Sequence, residues 1–235
     1  MNKLNFGMDA PKIIAKLFIT SGILSFLYIF SLVFIGGKYI ISIIYLLLFC
    51  PFIITGLLMI LSSKIFKIKN RNKIIARMEL TGSEKVLDIG CGRGLYTVGF
   101  AEKITKGIIY GIDIWNIEDI SANSEMAIME NIRKSNTENR IILKTEDMRK
   151  MSFDNDFFDI IVASFSIHNL SNIDEIKKAL YEITRVLKIN GRLIIIDFKY
   201  IKAYKNILLN YNLQLIYEKN ANGLFPISKC LIFKK

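Results

Sequence analysis

Polar residues disappear from two long stretches near the start of the chain and then return in a regular alternation. From Leu17 to Gly37 the sequence reads LFITSGILSFLYIFSLVFIGG, about 21 residues without a charge, and Tyr39 to Ser63 adds about 25 more, with only Lys38 between them. At about 1.5 Å per residue each run spans a bilayer core as a helix. Neither shows a polar face at helical spacing, as a helix packed on one side of a soluble core would. The pattern predicts a transmembrane hairpin over 17–63, with helices at 17–37 and 39–63. A pair of apolar helices packed in a soluble dimer is the alternative, uncommon at this length. A cleavable signal peptide fits worse, because its apolar region should be shorter and end at a small-residue cleavage site.

Beyond a basic, polar stretch at 64–83, expected as a juxtamembrane linker, the periodicity changes. KVLDIG reads as a buried strand, Leu95 to Ile104 as a helix, GIIYGIDI as a strand and Ile117 to Lys134 as a helix. RIILKTED and FFDIIVASFSI read as the next strands, Asp174 to Leu187 as a helix stopped by KINGR, and LIIIDF as the strand after it. A helix near Ala203 to Asn210 and the strands LQLIYE and SKCLIFKK complete the chain. Strands alternating with helices predict an α/β domain over 84–235, a mainly parallel sheet covered by helices on both faces.

Charge orients this arrangement. The chain carries a formal +11, and its densest basic cluster, Lys64, Lys67, Lys69, Arg71, Lys73 and Arg77, directly follows the second apolar run. Lys3, Lys12 and Lys16 precede the first. Lys and Arg collect on cytoplasmic flanks, so both termini are expected in the cytoplasm, on a multi-pass protein of the cytoplasmic membrane whose first 16 residues form a cytoplasmic segment. Basic side chains beside a bilayer attract anionic headgroups. No arginine-rich groove or base-stacking signature appears, so no nucleic-acid partner is expected. Cys50, Cys91 and Cys230 have no paired spacing, and His168 is the only histidine. A zinc site, a disulfide framework and a three-histidine metal centre are therefore not expected.

The chemistry concentrates in VLDIGCGRG, Val86 to Gly94, where Gly90, Gly92 and Gly94 follow a strand. In a parallel sheet this turn lies beyond the carboxyl ends of the strands, where ligands bind. Glycine there lets backbone amides approach a ligand and permits a tight turn. The dinucleotide fingerprint G-x-G-x-x-G/A fails, because counting from Gly90 the sixth position is Leu95. What the loop matches is D-x-G-x-G-x-G, from Asp88 to Gly94.

With Asp113 ending YGIDIW, Asp147 in KTEDM and the run YEITRVLKINGRLIIIDF, the sequence resembles the class I S-adenosylmethionine-dependent methyltransferases over nearly all of 84–235. The resemblance implies a Rossmann-like seven-stranded sheet. It implies S-adenosylmethionine as cofactor and S-adenosylhomocysteine as product. The glycine loop, including Cys91, would lie beneath the methionine part, with Asp88 organising it. Asp113, followed by Ile114, would take the ribose hydroxyls, a role that suits a carboxylate accepting from two vicinal donors. Asp147 and Met148 would lie near the adenine, and Trp115 either walls that pocket or is ordinary packing. Ile189 and Asn190 replace the Pro and first Gly of the family's R-V-L-K-P-G-G, altering a turn away from the ligand.

SFSIHN, from Ser164 to Asn169, is similar to the SFGxRN segment of quinone-biosynthesis C-methyltransferases, with His168 in place of the arginine. The resemblance puts this rim on the substrate side, with Ser164, at the end of the fourth strand, expected among the cofactor contacts. An imidazole accepts a proton near neutrality, so His168 is expected as general base or substrate orienter, with Asn169 positioning the acceptor. A structural rim residue is the competing reading. A short tether near lipid favours a lipidic or hydrophobic small-molecule acceptor. A soluble or protein acceptor, and a binding module without catalysis, remain open.

Overall fold

In a computed structural model of the chain, residues 4–36, 39–116 and 123–235 are described. Lys38, the charge at the expected hairpin tip, and the start of the helix expected from Ile117 lie outside them.

Helix α1, Pro11–Ser31, starts earlier than the uncharged run because Pro11 presets the first helical turn. A single π-helical turn, Leu32–Gly36, follows. Helix α2, Tyr39–Leu61, runs back along α1 and tolerates Pro51 in its interior. The polar groups of the pair turn inward: the Tyr28 hydroxyl lies 2.9 Å from Ser42 Oγ, Tyr45 donates to Ser25 Oγ at 2.9 Å, and the two tyrosine rings stack at 4.1 Å. Large apolar side chains turn outward, with Phe26 and Val33 both 69% exposed. By length and composition both helices are able to cross a membrane, and only 6% and 11% of their most apolar windows is buried. A core helix of a soluble protein would show the opposite distribution.

Much of the stretch expected as a juxtamembrane linker is helical. After a π-helical turn at Ser62–Phe66, helix α3, Lys67–Ala76, carries the chain directly off the end of α2. Ile74 and Ile75 enter the main core, and Lys67 and Arg71 are buried. The basic run thus has two faces: Lys64, Lys69, Lys73 and Arg77 are exposed, while the other two cations serve protein contacts. The hairpin therefore joins the α/β domain through packed helix rather than flexible chain.

The domain has strands β1 (Lys85–Ile89), β2 (Ile108–Asp113), β3 (Ile141–Thr145), β4 (Phe158–Ser164), β5 (Leu187–Asp197), β6 (Gln214–Asn220) and β7 (Lys229–Lys234). They form one sheet in the order β3-β2-β1-β4-β5-β7-β6, parallel except that β7 runs against β5 and β6. Central β1 is covered on both faces, so Val86, Leu87 and Ile89 are buried whichever face they point to. Helices α3 and α4 (Leu95–Ala101) place Ile74, Ile75 and Phe100 against Val86, Val162 and Ile194 on one face. Helices α6 (Ile173–Val186) and α7 (Ile201–Asn210) place Leu180, Ile183 and Tyr204 against Leu87, Ile161 and Ile195 on the other. Helix α5, Glu125–Ser135, starts at Ser124, whose side chain accepts from the Ala127 amide. KINGR does not separate α6 from a later strand. β5 begins at Leu187, and the four residues after it bulge out between the Phe158 and Ile160 pairings, with Asn190 at φ 66°.

Candidate active site

β1 and β4 are neighbours whose loops diverge, β1 leading to α4 on one side and β4 to α6 on the other. That divergence opens a cleft of about 490 Å³ at the carboxyl ends of the strands. Gly90, Cys91 and Gly92 line it after β1, Asp113 and Ile114 after β2, Asp147 and Met148 after β3, and Ser164, His168 and Asn169 after β4. Asp88, the one acidic residue of β1, lines it too. Two expected site residues fall elsewhere. Gly94 does not line the cleft: at φ 81° it caps α4, and a Cβ there would lie 2.8 Å from Ile128. The Trp115 ring is also absent from the lining, held away by a 2.8 Å bond from Nε1 to Thr145 Oγ1.

The glycine loop is built differently from the expectation of free amides. The amides of Gly90 and Cys91 both donate to the Ile112 carbonyl, at 2.8 and 3.0 Å, and the Gly92 amide donates to Asp113 Oδ2 at 2.7 Å. A Cβ at Gly90, which has φ 66°, would sit 2.4 Å from Ser166 Cβ, so the bare backbone makes room for protein. A pyrophosphate needs free amides pointing at it, and three consecutive ones here are already committed. Asp88 is buried and clamps the start of α4, accepting from the Thr97 amide at 2.8 Å and hydroxyl at 2.6 Å. Burial pushes its carboxyl up to about 7 against the pull of those two bonds. Burial, reinforced by the charges of Asp88 and Asp113, pushes the Cys91 thiol well up, so it stays protonated and is no nucleophile.

Asp113 is 8% exposed and accepts from the amides of Gly92 and Trp115, the latter at 2.6 Å. Each carboxylate oxygen keeps a lone pair, the requirement for holding a vicinal diol. Asp147 is gripped by the Arg149 guanidinium, Nε lying 2.9 and 3.0 Å from its two oxygens, and Arg149 reaches on to Glu175. Hydrogen bonding to Arg149 is the main cause that lowers the Asp147 carboxyl from its usual range. Ile114, 65% exposed beyond β2, and half-buried Met148 supply apolar surface between these acids.

Across the cleft, His168 Nδ1 lies 2.8 Å from Asp197 Oδ1, off the direction of an ideal Nδ1–H bond but within ion-pair distance. Asp197 ends β5, is 1% exposed, and accepts from the Phe198 amide at 2.8 Å and the Tyr204 hydroxyl at 3.2 Å. Burial, then the Asp197 charge, raises the Tyr204 phenol, keeping it a donor. The Phe198 ring packs 4.7 Å from the imidazole. Trp115 and Phe165 hold φ of 60° and 53° just past β2 and β4, left-handed conformations that are costly for aromatic residues and cluster at working sites.

Sequence reasoning missed Asp197 and Ser166. The signal for the first was the acid closing LIIID, on a strand next to the one that leads to SFSIHN. Ser166 is 6% exposed, lines the cleft, and has no hydrogen-bond partner for its hydroxyl among the described residues.

Residues 87–195 match the family described as methyltransferase domain. The chain is 27% identical over 130 residues to the demethylmenaquinone methyltransferase of Lactobacillus johnsonii, covering 54% of this chain and 49% of that protein. It is 29% identical over 156 residues to the ubiquinone/menaquinone biosynthesis C-methyltransferase of Neisseria meningitidis, covering 66% and 56%. The chain thus spans about half the length of the curated relatives it matches. Among solved structures, magnesium protoporphyrin IX methyltransferase from Synechocystis with bound S-adenosylmethionine superposes at a TM-score of 0.60 and 16% identity. That superposition covers 74% of this chain and 82% of the other, and it speaks for the fold. The carboxylate with spare acceptors and the loop with committed amides fit S-adenosylmethionine, a ribose-bearing cofactor without a phosphate.

Proposed function

We propose that this domain is a class I S-adenosylmethionine-dependent methyltransferase and that the protein methylates a lipidic or hydrophobic small molecule at the cytoplasmic face of a membrane. The observation that carries the reading is the single cleft joining the glycine loop and Asp113 to His168 and its buried partner Asp197. Asp113 would hold the ribose, the turn at Gly90–Gly92 the amino-acid end, and Ile114 with Met148 the adenine. When bound, the cofactor supplies an already activated methyl, so the protein's task is to hold the acceptor close, dry and aligned.

His168 takes the proton from the acceptor's hydroxyl or acidic carbon as that atom attacks. Asp197 orients the ring and stabilises the imidazolium that forms. Asn169 at the rim and the Ser166 hydroxyl, which has no hydrogen-bond partner among the described residues, would bind the acceptor. The hydrophobic class of acceptor is supported by the outward-facing apolar side chains of the two helices and by the quinone substrates in the names of the two relatives. Cytoplasmic placement of both termini is supported by the four exposed cations of the basic cluster at the hairpin base.

The test supplies membranes containing the full-length protein with methyl-labelled S-adenosylmethionine and separates organic-extractable, aqueous, protein and nucleic-acid fractions. Label in the organic fraction, lost in Asp113→Ala, is the expected result. Label in another fraction makes the hairpin merely an address and overturns the acceptor class.

A further inference from the structure

The cleft does not end at His168. It continues past Phe6 on the N-terminal segment to Met59 and Ser62 near the end of α2, and to Leu224 and Phe225 in the β6–β7 loop. At its outer rim stands Ile13, in the first turn of α1 and 53% exposed. Phe6, Met59 and Leu224 are each at most 7% exposed, so they face the cleft and not the surroundings.

These pieces are tied together. Ser62 Oγ accepts from the Phe225 amide at 2.9 Å, and Asn70 donates to the Asn222 carbonyl at 2.8 Å. Gly223, at φ 80°, lies so close to the Phe66 ring that a Cβ would stand 2.3 Å from it. Lys67 Nζ holds the N-terminal segment down through the Phe6 and Gly7 carbonyls, at 3.0 and 2.9 Å, and through Asp9. Asn5 continues the strap to the glycine loop, where Arg93 Nε donates to its carbonyl at 2.8 Å.

We infer that the hairpin base is the outer wall of the acceptor site, and that the cleft takes an amphiphile laterally from the bilayer, past Ile13, with its polar head at His168 and its apolar chain against Met59 and Leu224. The inference rests on the methyl-transfer reading and deepens it. One continuous cavity runs from the reacting rim to a helix whose outer surface is apolar. Asp9, Lys67 and Asn70 share that stretch of lining, but Ile13, Met59 and Leu224 give it an apolar side that a soluble acceptor does not need and along which a lipid chain leaving beside Ile13 sheds contact with water.

The test reads occupancy without turnover. Full-length protein carrying the photocrosslinking residue p-benzoylphenylalanine in place of Met59, or separately of Leu224, is placed in phosphatidylcholine nanodiscs and irradiated. S-adenosylmethionine affinity of each variant, by calorimetry, confirms that its cofactor end is intact. A lipid adduct at either position is expected, reduced at least about fivefold when Ile13→Trp narrows the rim. No adduct at either position in protein that binds the cofactor normally, or an adduct that Ile13→Trp leaves unchanged, overturns the portal. Failure of the methylation reading shows differently, as lipid adducts in a protein that never transfers label.

Discussion

The hairpin and the α/β domain are both rich in Ile, Leu and Phe, yet they arrange them in opposite senses. The domain closes Leu87, Ile161 and Ile195 at 0% exposure behind charged helix faces. The hairpin points Phe26, Val33 and Leu47 outward and spends its serines and tyrosines on bonds between its two helices. Water drives the first arrangement through apolar burial. In the second, the apolar surface faces outward, and packing with internal polar bonds holds the helices together. The two regions meet at α3 and the N-terminal strap, where charged groups are buried by both. The hairpin is thus joined to the site by structure as well as by sequence.

The largest effect that separates the regions is chemical. His168→Ala is expected to lower methyl transfer about a hundredfold with unchanged cofactor affinity, and Asp197→Asn by a smaller factor, since it acts through His168. Steady-state rates beside calorimetric S-adenosylmethionine binding check this, and full turnover in His168→Ala assigns the rim a structural role.

Next is the joint. Lys67→Met strands two carbonyls and Asp9, and should cost about 1–3 kcal/mol while weakening cofactor binding severalfold, because the strap over Arg93 loosens. Thermal unfolding in detergent and calorimetry measure both. A loss of stability with unchanged cofactor affinity would show the two regions to be energetically separate.

A third measurement concerns the domain alone. The unfolded chain releases the Asp88 proton near the ordinary 3.8, whereas the folded protein keeps it to about 7. Between those values the folded state binds more protons, so stability falls as pH rises through that window. Asp88→Asn keeps an acceptor for Thr97 and should flatten that slope in denaturation curves taken across it.

The smallest effect lies in the hairpin. Tyr45→Phe removes the bond to Ser25 and should cost about 0.6 kcal/mol, read in detergent unfolding, with no change in transfer rate.

Several of these residues announce themselves in the sequence and others do not. Asp88 and Asp113 stand in patterned stretches, where strand periodicity and a glycine turn leave few places for a carboxylate to go. Asp197 is as visible in LIIID, but its partnership with His168 joins the end of β5 to the turn that follows β4, and it appears only when those two strands pair. The position of Trp115 two residues after Asp113 leaves open whether it walls the pocket or packs elsewhere. Its left-handed φ and its bond to Thr145 turn the ring aside. The basic run after the hairpin reads as a juxtamembrane linker because charge dominates it. Lys67 and Arg71 recur on the helix face that also carries Ile74 and Ile75, and that face is buried.

By itself the sequence determined the local quantities: two charge-free spans, the alternation of strand and helix, and the glycine turn with its acids. Each depends on residues a few positions apart, where periodicity and backbone preference act. Tertiary structure alone decided that the loop amides are spent inward, that Asp197 backs His168, and that the hairpin base lines the same cleft as the cofactor loop. Those depend on groups far apart in the chain being brought within hydrogen-bond distance, and no local pattern encodes that distance.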